Sequence, residues 1–541
     1  MRGITTRKID SAFIKELSGR VRRHLPNPTS KYAVAIQLEL MGITDRKLRE
    51  RMDSATLFGI AGRVYEQIQE DIAGEKEAKQ HQHSFNLSAA QIWERVGAFL
   101  KYYGSGLIFM APMFSQILSV IFIGYSLWAW LYFNELQATV VAIGTIIAFI
   151  ATGGINLVTG REISFYMGQE NYELSYRVAS KNVITGLFSL VGMGVLVYAL
   201  NIVIPFFPHQ LMILSSVYAF FIGIWLLSST VLYALQKNFM ILLSVIVGTI
   251  VLVVVMDGYD FGIYFAHWIG MFVSSLVMIL YGFIYFNRLM AESDQSTTGQ
   301  GLPRFEVRYY NNYRYFIYGT CYFLFLFIDR IMAWSTGTPP PAYIIWFDTS
   351  YELGMDWALI CLVFITASLE YSINRFSNLI LPFQKKTDIQ YQKDFENFFR
   401  HYYVRQLVLL MVVGIISILG SYFLVTSLKD LAGDVEIVKD FFSSKILTKV
   451  FWLASIGYLF TSFGLLNTLF FFTLGRPQKI VKAITSAILI NILVGFVSSR
   501  MVSYEYAVLG LVAGGITFAA ITTYDTRKLF KNLHYYYYSA Y

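Results

Sequence analysis

A few polar and ionisable side chains interrupt long apolar runs, and these residues could do chemistry. Asp329 and Arg330 are adjacent inside the apolar segment FLFIDRIMAW. Thr366, Glu370 and Asn374 are spaced by four residues, so on a helix they share one face. Ionisable groups inside a bilayer are costly and usually face a cavity or a partner. These positions therefore predict a substrate or coupling-ion site within a membrane.

Each candidate also has a purely structural interpretation. The Asp329–Arg330 pair could lie at the membrane interface with snorkelling side chains. Glu370 could anchor a helix end to Arg375 or to a loop. Arg161 follows the second apolar run and is a further candidate, although an interfacial anchor explains it most simply. Both interpretations stay open for every one of these residues.

The motifs of an ATP-hydrolysing protein and of a membrane-embedded glycosyltransferase are missing from the sequence. It contains neither a GxxxxGK[ST] phosphate loop nor the DxD expected of a nucleotide-sugar site. Cys321 and Cys361 both fall in apolar runs, where they are expected as small buried residues rather than as disulfide partners. We therefore predict a protein that is not an enzyme and that uses no metal and no cofactor.

Composition and run length place the chain in a membrane. Of its 541 residues 56% are hydrophobic and 14% are charged, whereas soluble domains carry roughly 25% charged residues. Each apolar run approaches the ~20 residues that cross a bilayer, and none alternates as a barrel strand would. The sequence predicts an all-α polytopic membrane protein with about twelve transmembrane helices, at 105–131, 137–158, 183–206, 211–236, 239–256, 261–287, 313–334, 354–376, 404–427, 450–474, 480–498 and 505–523.

The polar first 95 residues stand apart from these runs. Segment 47–72 has apolar residues at helical spacing, and 74–84 has the composition of a linker. A small cytosolic helical region and a partly ordered extension both fit. The predicted organisation is an N-terminal extension, a first six-helix half, a cytoplasmic linker, a second six-helix half and a cytoplasmic tail, at 1–95, 96–287, 288–312, 313–523 and 524–541.

Lysine and arginine in the loops predict the orientation. Most lie in the even-numbered gaps between runs, on the side that also receives the N-terminal region and the tail. Because positive loops stay inside, both termini should be cytoplasmic in a cell inner membrane, with loops 335–353 and 428–449 outside. The net charge of +8 is then a topology signal, and nucleic acid is not an expected partner.

Short motifs recur at equivalent places in the two halves. AFIATGG (148–154) lies in the second run of the first half, and VFITASL (363–369) lies in the second run of the other half. YALQKNFMI (233–241) and FTLGRPQKI (472–480) also match in position. The pattern predicts a six-plus-six duplication with a substrate cavity between two helix bundles.

Longer segments carry a resemblance to a known family. These are YYGSGLIFMAPMFSQILSVIFIG, NLVTGREISFYMGQENYE, FIDRIMAW, YIIWFDTSYELGMDWALICLVFITASLEYSINRFSNLILPFQ and DFENFFRHYY. Over about residues 95–530 the chain resembles the membrane exporters of the Pel exopolysaccharide system. That family is similar to the multidrug/oligosaccharidyl-lipid/polysaccharide flippase superfamily. The resemblance implies two six-helix bundles that open alternately to either side.

The resemblance also implies a substrate and partners. It implies export of a polysaccharide or its lipid-linked precursor across the cytoplasmic membrane, amid membrane lipids, with a cytosolic glycosyltransferase and further membrane subunits as partners. Asp329, Glu370 and Arg161 fall on the family's acidic and basic positions. The alternative is a cation-coupled antiporter of drugs or small molecules from the same superfamily, with Glu370 as its deepest candidate carboxylate.

Overall fold

The computed structural model describes most of the chain, in the ranges 11–25, 28, 31–43, 45, 56–80, 89–130, 132–259, 261–292, 301–337, 343–386, 392–431, 444–531 and 533. Over these ranges the protein is built from helices, with no strand beyond an isolated bridge between Tyr125 and Trp130. The all-α prediction is confirmed. The aromatic tail at 535–538 lies outside the described residues.

The helices fall into a short N-terminal set and a long apolar set. The short set is α1 (Ser11–His24), α2 (Lys31–Leu40) and α3 (Leu57–Gln80). The long set is α4 (Ala89–Ile123), α5 (Glu135–Gly168), α6 (Tyr172–Val203), α7 (His209–Ala234), α8 (Asn238–Val253), α9 (Ile263–Glu292), α10 (Phe305–Trp334), α11 (Thr349–Lys386), α12 (Gln392–Leu431), α13 (Lys445–Thr473), α14 (Gln478–Met501) and α15 (Val508–Lys531).

Eleven described helices are long and apolar enough to cross a membrane, and α4 makes a twelfth when its two straight parts count as one span. Those parts, Val96–Ile108 and Met110–Val120, are bent by 56°. The bend begins at the residue whose carbonyl would meet the ring of Pro112, so the proline accounts for the kink. The predicted first span, 105–131, is too long, because α4 ends at Ile123 and Gly124 has a φ of 86°.

Contacts divide the chain into two compact units. Among the described residues, the smaller unit comprises those up to Leu100 together with 374–403 and 530–533, and the larger comprises those in 101–373 and 404–529.

Within the smaller unit, α1, α2 and α3 enclose an apolar core. The residues that the helical pattern assigns to one face of α3 are buried there, namely Leu57, Ile60, Val64 and Ile68. Leu48 and Met52, assigned to the same face, lie outside the described residues. The predicted linker at 74–84 is helical as far as Gln80. The first described part of the chain is therefore a packed helical region rather than a loose extension.

In the larger unit, α5 crosses α10 near the middle of both helices. A methyl group on Gly319 would lie 2.5 Å from the carbonyl oxygen of Gly153, and one on Gly154 would lie 2.5 Å from that of Phe316. Only glycine permits backbones to approach so closely. Next to the crossing, the rings of Phe149 and Phe323 are 4.9 Å apart. The first and second halves therefore touch along α5 and α10.

A second crossing, between α4 and α11, has the same design. A methyl group on Gly106 would lie 2.6 Å from the carbonyl oxygen of Ala367, and the rings of Phe114 and Phe364 are 5.3 Å apart. Phe364 holds the position in VFITASL that Phe149 holds in AFIATGG. Each crossing thus includes the phenylalanine that the repeated motif pairs, whereas Ala367 is in register with Thr152 rather than with Gly153.

Candidate functional site

An acidic cluster forms where α10 ends and α11 begins, and we call Asp329, Arg330, Tyr351, Glu352 and Asp356 the α10–α11 cluster. Asp348 starts α11, since its carboxylate accepts a hydrogen bond of 2.8 Å from the backbone N–H of Tyr351. From that start, Glu352 and Asp356 follow four residues apart on one face of α11. This face meets Arg330 on α10.

The contacts in the α10–α11 cluster are specific. The Tyr351 hydroxyl donates a hydrogen bond of 2.9 Å to Asp329 Oδ2. Arg330 Nη1 donates to Glu352 Oε2 and, over 3.2 Å, to Asp356 Oδ1. Asp329, Arg330 and Glu352 are buried by protein, so the Asp329–Arg330 pair does not snorkel, while the Asp356 side chain is 61% exposed.

The α10–α11 cluster holds more acid than base. Asp329 and Glu352 are two buried carboxyl groups against the single buried guanidinium of Arg330. One oxygen of each, Asp329 Oδ1 and Glu352 Oε1, is buried without a hydrogen-bond partner. Uncompensated buried charge is costly, so the surplus carboxylate favours binding of a proton or a cation. This is the chemistry that the arrangement can perform.

Sequence patterns single out Asp329 and Arg330 but not the residues that contact them. Tyr351, Glu352 and Asp356 lie at the start of a helix, where acidic residues are ordinary because they complement the helix dipole. One signal in the sequence could have found them. Glu352 and Asp356 are four residues apart, so they share a helix face that could meet Arg330.

Arg161 lies at the opposite end of the bundle, in a separate polar network. Its Nη1 donates a hydrogen bond of 2.6 Å to Asn312 Oδ1, and its guanidinium lies 4.5 Å from the ring centre of Tyr315. Both partners belong to α10, so Arg161 joins the first half to the second. Its neighbour Glu162, which no sequence pattern singled out, makes more hydrogen bonds to α10 than Arg161 does.

Glu162 is the centre of this network. Arg308 binds it through two hydrogen bonds, Nε to Oε1 at 3.0 Å and Nη2 to Oε2 at 2.6 Å. Asn312 donates to Oε1 over 2.8 Å, and Asn182 of α6 donates to Oε2 over 2.9 Å. Glu162, Asn182 and Asn312 are all buried. Four charge-assisted hydrogen bonds therefore satisfy one buried carboxylate between α5, α6 and α10.

The polar face of α11 is a third, distinct location. Thr366 donates to the carbonyl of Val363 in its own helix over 2.9 Å. Glu370 is exposed, and it is close enough to Tyr233 of α7 to act electrostatically on that hydroxyl. Asn374 is half-buried. Glu370 is about 21 Å along the helix from Asp356, so the structure does not bring it to the α10–α11 cluster.

Metal binding finds no support in the part of the chain that the structure describes. Among those residues, no three His, Cys, Asp or Glu side chains are grouped so as to hold a metal ion.

Comparison with known proteins identifies the architecture. No protein-family profile matches the chain, and no curated protein matches it. Solved structures do. A MATE crystallised in complex with MaD5 gives a TM-score of 0.56 at 14% identity, and covers 81% of this chain and 96% of its own. An outward-facing multidrug resistance MATE transporter of the MOP superfamily gives 0.56 at 12% identity, with the same coverages.

The chain has the MATE transporter fold. A MATE in the bent conformation also matches, with a TM-score of 0.54 and 14% identity over 81% of this chain and 96% of its own. The similarity establishes that the chain shares the fold of these membrane transporters. The resemblance to Pel exporters rests on the sequence, since these neighbours are MATE transporters.

Proposed function

We propose that this protein is an alternating-access exporter of a polysaccharide, or of its lipid-linked precursor, across the cytoplasmic membrane. One observation carries the proposal. The two halves meet through equivalent crossings, α5 with α10 and α4 with α11, each closed by small residues near its middle. Such crossings allow one half to rock against the other, so that a space between them opens to one side at a time.

The substrate follows from the sequence rather than from the fold. The Pel-like segments concentrate in α10, α11 and α12, which include the α10–α11 cluster and the polar face of α11. Sugar rings stack on aromatic side chains through their apolar faces, and the chain has 38 Tyr and 9 Trp. A cytosolic glycosyltransferase and further membrane subunits would supply the polymer.

We place the end of the bundle that carries Arg161, Arg177, Lys181 and Arg308 in the cytoplasm, with both termini. The excess of lysine and arginine at that end supports this orientation. Single cysteines introduced at exposed positions will test it with a membrane-impermeant thiol reagent applied to intact cells. Labelling is expected at Ile344, which is exposed in the segment between α10 and α11, but not at Arg400; labelling of a cysteine at Arg400 would reverse the orientation.

The direct test of function is a clean deletion of the gene. Extracellular polysaccharide should disappear while the synthesis enzymes remain active in cell extracts, and complementation should restore secretion. Normal secretion together with an altered resistance to drugs or cations would contradict the proposal.

A second candidate is a cation-coupled antiporter, and the surplus carboxylate of the α10–α11 cluster favours it. A secondary antiporter needs a buried acid that is alternately protonated or cation-bound and free. Purified protein in liposomes distinguishes the two: an antiporter should take up a cationic dye when a proton or Na⁺ gradient is imposed, and Asp329→Asn should abolish that uptake. A glycan exporter without antiport activity should show no gradient-driven dye uptake.

A further inference from the structure

We propose that Glu162 and Arg308 form a breakable latch between the two halves, which holds the path between them closed at the Arg161 end. The inference rests on the proposed alternating-access function, and it assigns residues to one step of that cycle. Glu162 belongs to α5 of the first half, whereas Arg308 and Asn312 belong to α10 of the second. The salt bridge between them has a shortest N–O distance of 2.6 Å.

The position of this pair fits a latch. It lies about 14 Å along α5 from the glycine crossing, so a small rotation about the crossing moves the two side chains well apart. Other ion pairs at the same end lie within one helix, such as Arg288 with Glu292, or within the second half, such as Lys479 with Asp525, and cannot respond to such a rotation. The Glu162–Arg308 pair therefore senses the angle between the halves.

The chemistry of the pair fits a contact that opens and recloses. The closed form satisfies both carboxylate oxygens through Arg308, Asn312 and Asn182. Asn182 lies on α6 and stays with Glu162 when the halves part, so the carboxylate retains a partner. When the halves part, water can replace the hydrogen bonds that Glu162 loses, because the pair lies near the helix ends. Water could not do so at the buried crossing of α5 and α10. Two packed apolar surfaces in the same place would separate less readily, because separation would expose them to water.

Arg161 reinforces the latch by a second route. Its hydrogen bond to Asn312 Oδ1 fixes that amide so that the amide nitrogen points at Glu162. Arg161 also covers the ring of Tyr315, a contact that again joins α5 to α10. The latch is thus a two-sided network in which each half contributes charge and the Asn312 amide links Arg161 to Glu162.

A distance measurement tests the latch without any substrate. Both cysteines, Cys321 and Cys361, are replaced by serine, and spin labels are placed on cysteines at Gln169 and Glu306, which are exposed at the neighbouring ends of α5 and α10. Pulsed electron–electron double resonance then gives the distance between the two spin labels, and so the separation of the halves, in liposomes. The parent should show one dominant short distance.

Arg308→Gln and Glu162→Gln should each raise a longer-distance population about tenfold or more, because one partner of a buried pair is lost. The exchange Glu162→Arg with Arg308→Glu should restore the short distance in a protein that also carries Arg161→Gln, since both Asn amides can then turn to present the other atom. Arg288→Gln, which alters an ion pair inside one helix, should change nothing.

The latch is wrong if the parent is mainly in the long-distance state, or if both neutral variants, folded by size-exclusion chromatography, keep the parental distribution. Failure of the charge exchange to restore the short distance would also overturn it. If the distances behave as expected while deletion leaves polysaccharide secretion normal, the latch stands and the proposed substrate fails.

Discussion

Tyr351 and Asp329 join two consecutive membrane helices through a fully buried hydrogen bond of 2.9 Å. The same helices are joined one residue further along each by Arg330 and Glu352. The two buried acids thus have different partners: Asp329 contacts a phenol, and Glu352 contacts a guanidinium. Because the phenol brings no charge, the arrangement leaves one buried carboxyl without a counter-ion, which is what a site for a proton or cation requires.

Arg330→Gln should destabilise the protein strongly. It leaves Glu352 buried without its counter-ion, and breaking a buried pair in this way costs about 3–5 kcal/mol. Thermal unfolding in detergent should show a clearly lower Tm. Arg288→Gln, which removes an exposed pair, is the matched control and should leave Tm unchanged. Equal Tm values for the parent and Arg330→Gln would show that the cluster does not hold α10 and α11 together.

Glu370→Gln should impair transport while leaving insertion and abundance intact. The Glu370 side chain is exposed on α11 and its carboxylate acts electrostatically on Tyr233 of the other half, so the substitution removes a charge from a place where the two halves approach. Transport by Gln and Ala variants is compared at equal protein abundance. Activity in Gln with loss in Ala would indicate a neutral hydrogen-bonding role, whereas full activity in both would leave Glu370 as a structural anchor.

Gly319→Ala should push α10 away from α5. Its methyl group would meet the backbone of Gly153 at 2.5 Å, and overpacking of this kind costs about 1–3 kcal/mol. Gly160→Ala on α5 is the matched control, since a methyl group there meets nothing within 4 Å. The control should be neutral or more stable. Equal unfolding temperatures for both variants would mean that the crossing is looser than described.

Asp348→Asn should raise stability at neutral pH. Burial raises the pKa of Asp348, and the nearby negative charges of Glu135 and Glu505 add to this, while its hydrogen bonds from Tyr351 and Tyr504 oppose it. A raised folded-state pKa means that the folded protein loses stability as pH rises through the ionisation of this acid.

Asparagine keeps the helix cap without the charge. The gain in Tm should therefore be present at pH 7 and vanish as the pH falls below the usual range of an aspartate. A gain that is independent of pH, or a loss at pH 7, would contradict the assigned burial of the charged form.

The sequence predicted the elements better than the contacts between them. Hydropathy located every long helix, because a bilayer requires about 20 apolar residues whatever the fold. Hydropathy placed the end of the first span too late. The helix ends before Gly124, whose positive φ turns the chain, but the residues that follow are still apolar. The repeated Phe of AFIATGG and VFITASL lies at both crossings, although the repeat by itself indicated a duplication and not which helices touch.

The partners at each site could not be found in the same way. Glu162 and Arg308 are 146 residues apart, and nothing in either local pattern pairs them. Glu352 looked like an ordinary first-turn acid until α10 placed Arg330 against it. Such pairings depend on which helices become neighbours, and one sequence without that topology leaves them open.

The central claim is that rocking of the two halves moves glycan across the membrane. Its most direct test uses inverted membrane vesicles with cysteines at Gln169 and Glu306, in a protein otherwise free of cysteine, and a labelled sugar precursor. A reducible bifunctional thiosulfonate should join the ends of α5 and α10 and stop the accumulation of labelled glycan inside the vesicles, and reduction should restore it. Undiminished accumulation in fully cross-linked vesicles would contradict the account.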